Sequence, residues 1–231
     1  MFKIKYFGQT HDYDHKVKLL DLIPEDSKKI FLCAKVNNRL RELTYDVHYD
    51  AEVEFLDILD EEAMHIYENS LRYIIAMALY EIDSSLQLKF SYYESRSIYG
   101  LILNKDFVWS QEKLDKLKNK IDEIIKADYP FIRKIVSNEE ADDIYRLFNM
   151  PDKIDLLKYR PEKTVHFTVC NGYHNYMYGY MAPSTGYITN YKLQLYQNGF
   201  IIQYPRCELK GQIPDFEPSP KFGKTLDASY D

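Results

Sequence analysis

Two clusters in this chain have the residue types and spacing of a reactive or metal-binding site. His166, Cys170 and His174 follow one another at intervals of four, and imidazole nitrogens with a thiolate are what zinc takes in tetrahedral sites. Residues four apart on a strand share a face, so a three-ligand site is conceivable. Asn171-Gly172 is a turn signal, however, and a turn there carries His174 off that face. Isolated Cys and His commonly just pack, and packing is the reading adopted, with no metal site. Gly223-Lys224-Thr225 has the tail of a phosphate-binding loop. Such a loop needs a glycine five residues earlier, where Pro218 stands. The few residues after Thr225 are also too short for the helix whose N-terminus would hold phosphate.

A third stretch, Tyr173 to Gly186, reads YHNYMYGYMAPSTG. Gly179 and Gly186 bracket Tyr-Met-Ala-Pro-Ser-Thr, so two glycines and Pro183 set the path of a loop between aromatic, strand-like segments. Tyr173, Tyr176, Tyr178, Tyr180, Tyr187 and Tyr191 crowd this region. Stacking on bases is one use of such a cluster; cross-strand pairing on a half-buried sheet is the commoner one and is preferred.

The elements that must position this loop can be read from the pattern. Phe2–Tyr6 alternates, Gly8 turns the chain, and 12–18 reads as a second strand. A short helix before Pro24, a strand over 29–36, a turn at Asn37-Asn38 and two short extended pieces follow. From about Asp60 to Asp83 a long helix, acidic at its start, is apolar around most of its circumference and therefore buried on several sides. Strands are expected over 86–93 and 97–103, and a Ser110-capped helix runs to about Ala127 with a lysine-rich, solvated outer face. A strand over 131–136, a capping box at Ser137 to Glu140, another short helix near 152–159, and a mostly β remainder complete the chain. Gln197-Asn198-Gly199 is the hairpin signal of that remainder.

Composition narrows the classes. Hydrophobic residues are 45% and charged residues 29% of 231, as in a folded globular protein. A net charge of −6 gives no overall basic field to attract nucleic acid. Three cysteines, widely separated and odd in number, suit free thiols. No apolar run reaches the length of a membrane span and no signal core opens the chain, so a cytoplasmic location without membrane attachment is expected.

The Tyr173–Gly186 stretch resembles the signature loop of the threonyl-tRNA synthetase editing domain, which reads roughly Cys-x-Gly-Pro-His-Val-Pro-Ser-Thr-Gly. Gly179, Pro183, Ser184, Thr185 and Gly186 match it. The family's catalytic Cys and His fall on Met177 and Met181, and its helical HxxxH falls on Asn69 and Tyr73. None of these titrates near neutrality, so no catalytic residue is assigned. The β-β-α-β-β order of the first 60 residues resembles a ubiquitin-like β-grasp of the TGS type, AKVNNRLRELTYDV being its most similar phrase. The phrases LLKYRPEKTV, NGFIIQYP and PSPKFGK resemble the N-terminal region of bacterial uridine kinase-like nucleoside kinases.

These resemblances imply an α+β fold with a mainly antiparallel sheet. They divide it into a TGS-like domain over 1–59, an editing-like domain over 60–212, and a linker over 213–231 toward a kinase domain. ATP and magnesium belong to that kinase domain; no cofactor is expected in this segment. The implied role is a non-catalytic ligand-binding or regulatory module with a degenerate editing cleft. Asn69, Tyr73, Met177, Tyr178, Met181, Ser184 and Thr185 would contact a nucleoside-like or aminoacyl-adenosine-like ligand. The alternatives are a trans-editing hydrolase of mischarged tRNA, disfavoured by the missing histidines and the acidic charge, and a docking domain that assembles a homo-oligomer.

Overall fold

Five strands near the N-terminus form one sheet around a central parallel pair. In the computed structural model, which describes residues 1–93, 96–177 and 179–217, these are β1 (Phe2–Tyr6), β2 (Gln9–Tyr13), β4 (Phe31–Val36), β5 (Arg39–Glu42) and β7 (Ala51–Asp57). Their order is β2-β1-β7-β4-β5, with β1 and β7 parallel and the other pairs antiparallel. The short β3 (Val17–Lys18) and β6 (Asp46–Val47) pair beside it. Residues 12–18, expected as one strand, divide between β2 and β3. The expected short helix is two 3-10 turns, Leu19–Leu22 and Glu25–Ser27. Pro24 cannot donate the hydrogen bond that would continue an α-helix through it, and a handful of residues close more readily as 3-10 turns. Asn37 and Asn38 take φ of 47° and 62°, the mirror-image turn that matches strand twist, as their side chains permit.

The helix α1 (Glu61–Ile82) is the axis of the rest of the molecule. On one side it packs against β4 and β7, with Glu62 reaching Lys35 at 3.1 Å. The remaining strands are β8 (Leu88–Tyr93), β9 (Ser97–Ile102), β10 (Ile132–Ser137), β11 (Thr164–Cys170), β12 (Tyr173–Asn175), β13 (Lys192–Tyr196) and β14 (Gly199–Gln203). They make two antiparallel sheets, β13-β14-β9-β8 and β10-β11-β12. Tyr73 of α1 touches the second of these, while Glu68 and Arg72 reach the first through Tyr204, just past β14, and Phe90 on β8. Such contacts on several sides explain why α1 lacks a clean polar stripe: Tyr73, Ile74, Ile75, Met77 and Ala78 are each fully buried.

Three further helices cover the sheets: α2 (Gln111–Ala127), α3 (Asn138–Leu147) and α4 (Pro151–Leu157). Ser110 and Ser137 cap α2 and α3 as the sequence indicates, accepting from the backbone of Lys113 and Glu140. The β13–β14 hairpin turns at Gln197-Asn198, so Gly199 is the first residue of β14 and not part of the turn. A Cβ on Gly199 would lie 2.2 Å from the Gly100 carbonyl oxygen on β9, so the glycine serves strand approach. The fold is mixed α+β with mainly antiparallel sheets. No described helix is long and apolar enough to cross a membrane.

Candidate functional site

The loop from Gly179 to Gly186 is held by main-chain and side-chain bonds from four directions. Pro183 C=O accepts from Phe131 N–H at 3.1 Å, and Thr185 N–H donates to Tyr129 C=O at 2.9 Å, which ties the loop to the segment before β10. Ser70 on α1 accepts the Ala182 N–H at 2.9 Å and donates to Ile66 C=O. Glu42, from β5, accepts the Met181 N–H at 2.9 Å and pairs with Arg133 on β10 at 2.6 Å. Asp128, in left-handed conformation just past α2, accepts from Ser184 Oγ and from Gly186 N–H, and pairs with Lys29 at 2.8 Å. Gly186 is where this packing is tightest. A Cβ there would fall 2.3 Å from Asp128 Oδ1 and 2.6 Å from Lys29 Nζ.

Each described residue of the set expected to line the cleft is engaged with its neighbours. Asn69 donates to Tyr180 C=O at 3.3 Å, and Gly179, at φ +118°, is where a Cβ would lie 2.8 Å from that amide nitrogen. Tyr73 is fully buried, its hydroxyl 2.8 Å from both the Thr168 and the Tyr173 carbonyl oxygens. Its ring meets Phe131 and Tyr173 edge-on. Met181 is buried and Met177 partly so, both against the core. Ser184 turns to Asp128, and the buried Thr185 hydroxyl donates to Ile124 C=O and accepts from Tyr129 N–H. Tyr178 lies outside the described residues. Of these residues Met181 borders a small cavity of about 30 Å³, shared with Glu42, Thr44, Phe131, Arg133, Thr168 and Ala182. That is room for one water.

The groups nearby are poorly matched to base catalysis. Burial pushes the Asp128 carboxyl up, but Lys29, Ser184 and the Gly186 amide outweigh it, and the net direction is below the ordinary carboxylate range. Burial and Glu81 push the Cys170 thiol up to about 12, so it is a packed thiol and not a thiolate. The spaced His and Cys residues do not converge. On β11, His166 is exposed and Cys170 buried, and four residues of extended strand separate them by about 13 Å. His174 pairs opposite Val169 and packs on Phe148 and Phe167, so it faces away from Cys170. Among the described residues no group of three His, Cys, Asp or Glu side chains is placed to hold a metal.

The chain is similar to threonine–tRNA ligases. It is 26% identical over 204 residues to the threonine–tRNA ligase of Wolbachia sp. subsp. Drosophila simulans (strain wRi), covering 84% of this chain and 31% of that protein. The ligase of Syntrophomonas wolfei is 27% identical over 191 residues, 78% of this chain and 29% of that protein. That of Thermotoga petrophila is 27% identical over 198 residues, 80% of this chain and 29% of that protein. The chain thus spans about a third of the length of the ligases it matches. No protein-family model matches it. None of these relatives is a nucleoside kinase, which leaves the expected kinase parent, and a regulatory role toward it, without support.

Four residues that fasten the loop escaped the sequence reading: Lys29, Glu42, Ser70 and Asp128. Asp128 alone carried a local signal, an Asp directly after a helix, where left-handed backbone is tolerated. The others act on the loop from more than 100 residues away along the chain, and no local pattern encodes such a pairing.

Proposed function

We propose that the chain is a module of the threonine–tRNA ligase type whose editing-like cleft has become part of the protein core, leaving a non-hydrolytic structural platform. In this reading residues 1–59 are a TGS-like β-grasp, supported by the five-stranded order with its central parallel pair. Residues 60–212 are the editing-like unit. The observation that carries the proposal is Tyr73: its ring and hydroxyl are committed to β11 and β12, and the cavity bordered by Met181, Phe131 and Thr168 nearby holds about 30 Å³. A nucleoside or aminoacyl-adenosine needs roughly ten times that volume. Deacylation of mischarged tRNA by the purified chain tests this, and the expected rate is that of the uncatalysed reaction.

A second reading, a hydrolase of mischarged tRNA, is favoured by the similarity to threonine–tRNA ligases over 84% of the chain. Its base would be Glu42, the carboxylate lining the one-water cavity. Accelerated deacylation that disappears in Glu42→Gln would establish it and overturn the platform reading.

A further inference from the structure

A ligand-sized concavity lies elsewhere, where the ends of β4 and β7 meet the segment that follows Gly186. Its volume is about 440 Å³, within the range of small-molecule sites. Two other concavities are larger, but one is lined chiefly by the outer face of α2 and the other by the first sheet alone, Lys35 on β4, Glu52 to Phe55 on the central β7 and the turns at Phe7 and Asn37-Asn38. This one is walled by several separate segments and floored by the buried Tyr187. Ile30 and Leu59 line it while remaining 54% and 56% exposed, so two large aliphatic side chains present apolar surface to the same concavity. The Phe31–Asp57 pairing of β4 with β7 brings the Lys29-Ile30 pair next to Asp57.

The polar groups here are of both signs. Lys29 uses one N–H on Asp128 and has two more. Asp57 accepts the Leu59 N–H with Oδ1 at 2.9 Å, and its second oxygen has no partner among the described residues. Asn190 has its backbone fixed on both sides by the Tyr67 hydroxyl, at 2.8 and 2.5 Å, and presents an exposed carboxamide.

We propose that this is a binding site for a free α-amino acid with an aliphatic side chain. Asp57 takes the ammonium group, Lys29 and Asn190 take the carboxylate, and Ile30 and Leu59 cover the aliphatic side chain. Phosphates are disfavoured, since Lys29 is shared with Asp128 and Asp57 faces the same space, which leaves the three groups net negative. A nucleobase lacks an open aromatic platform, because Tyr187 is only 5% exposed. The site is separate from the closed cleft and does not depend on how that cleft is read.

Titration calorimetry of the full chain with leucine, valine and threonine, alongside adenosine and inorganic phosphate, tests the assignment. Leucine is expected to bind with a dissociation constant of roughly 0.1–1 mM, in keeping with a ligand of its size. Asp57→Asn keeps the acceptor for the Leu59 N–H while removing the charge, and should weaken leucine about tenfold. Leu59→Trp should abolish binding by filling the space, with an unchanged melting temperature as the check on folding. No heat from any amino acid up to about 10 mM, binding indifferent to both substitutions, or binding of adenosine or phosphate in place of amino acids would each overturn the proposal.

Discussion

Removing the phenolic oxygen of Tyr73 measures directly how far the cleft has become core. The side chain is fully buried, and its hydroxyl lies 2.8 Å from two carbonyl oxygens on β11 and β12. Burial pushes the phenol pKa far up, so it remains a protonated donor throughout the accessible pH range. Tyr73→Phe keeps the ring against Phe131 and Tyr173, with centroids at 5.3 and 5.4 Å, and removes only the hydrogen bonding. Loss of a buried hydrogen bond that leaves its acceptor unmet costs about 1–3 kcal/mol. For a chain of this length that corresponds to a fall in Tm of roughly 2–10 °C. Urea unfolding should give a lower midpoint at an unchanged slope. Tyr73→Ala, which also deletes the ring, should cost about 3–5 kcal/mol. If Tyr73→Phe is as stable as wild type, or Tyr73→Ala costs no more than Tyr73→Phe, the cleft is not packed around this side chain and the argument for a closed site fails.

Two further outcomes concern the fastening of the loop. Gly186→Ala should push the exposed tips of Asp128 and Lys29 aside, since its Cβ would fall 2.3 Å from Asp128 Oδ1 and 2.6 Å from Lys29 Nζ, and should cost no more than about 1 kcal/mol; a loss of stability as large as that of Tyr73→Ala would contradict the geometry. The Asp128 carboxyl is lowered by Lys29 and Ser184 against the opposing effect of burial. Its contribution is therefore fully present above the ordinary carboxylate pKa near 3.8 and is lost as pH falls through the lower folded value. The stability difference between wild type and Asp128→Asn should hold from about pH 7 to about pH 5 and shrink as pH falls below the ordinary carboxylate value of 3.8, and a difference still constant at about pH 2 would refute the pairing.

Much of the secondary structure was legible because its causes are local. The serines at 110 and 137 announce their helices by accepting the orphan N–H groups of the first turn. Asn37-Asn38 and Asn171-Gly172 announce hairpins by tolerating positive φ. The long helix was legible from its length and its apolar circumference. Where local signals misled, a distant contact was the reason. Gly199 looked like the end of a turn, but the nearby Gly100 carbonyl makes it a strand residue. At His166, Cys170 and His174 the local signal was sound: the Asn171-Gly172 turn read from the sequence places His174 opposite Val169, off the face of Cys170.

The sequence by itself determined the candidate loop and its resemblance to an editing-domain loop, with Met177, Met181, Asn69 and Tyr73 at the resembling catalytic positions. Glycine, proline and the Ser-Thr pair set the path of the chain, and methionine, asparagine and tyrosine carry no titrating group near neutrality whatever surrounds them. Whether the emptied site is a pocket or part of the core was a different kind of question. It depends on which atoms from distant segments enter the same volume, and on whether each buried polar group there finds a partner. Tyr73 reaching the backbone of β11 and β12, Glu42 holding Met181 and Arg133, and Lys29 meeting Asp128 are pairings between residues 91 to 139 apart, or 95 to 100 in the case of Tyr73. Only the tertiary structure brings such partners into contact, because close packing is a property of the assembled volume and not of any stretch of chain.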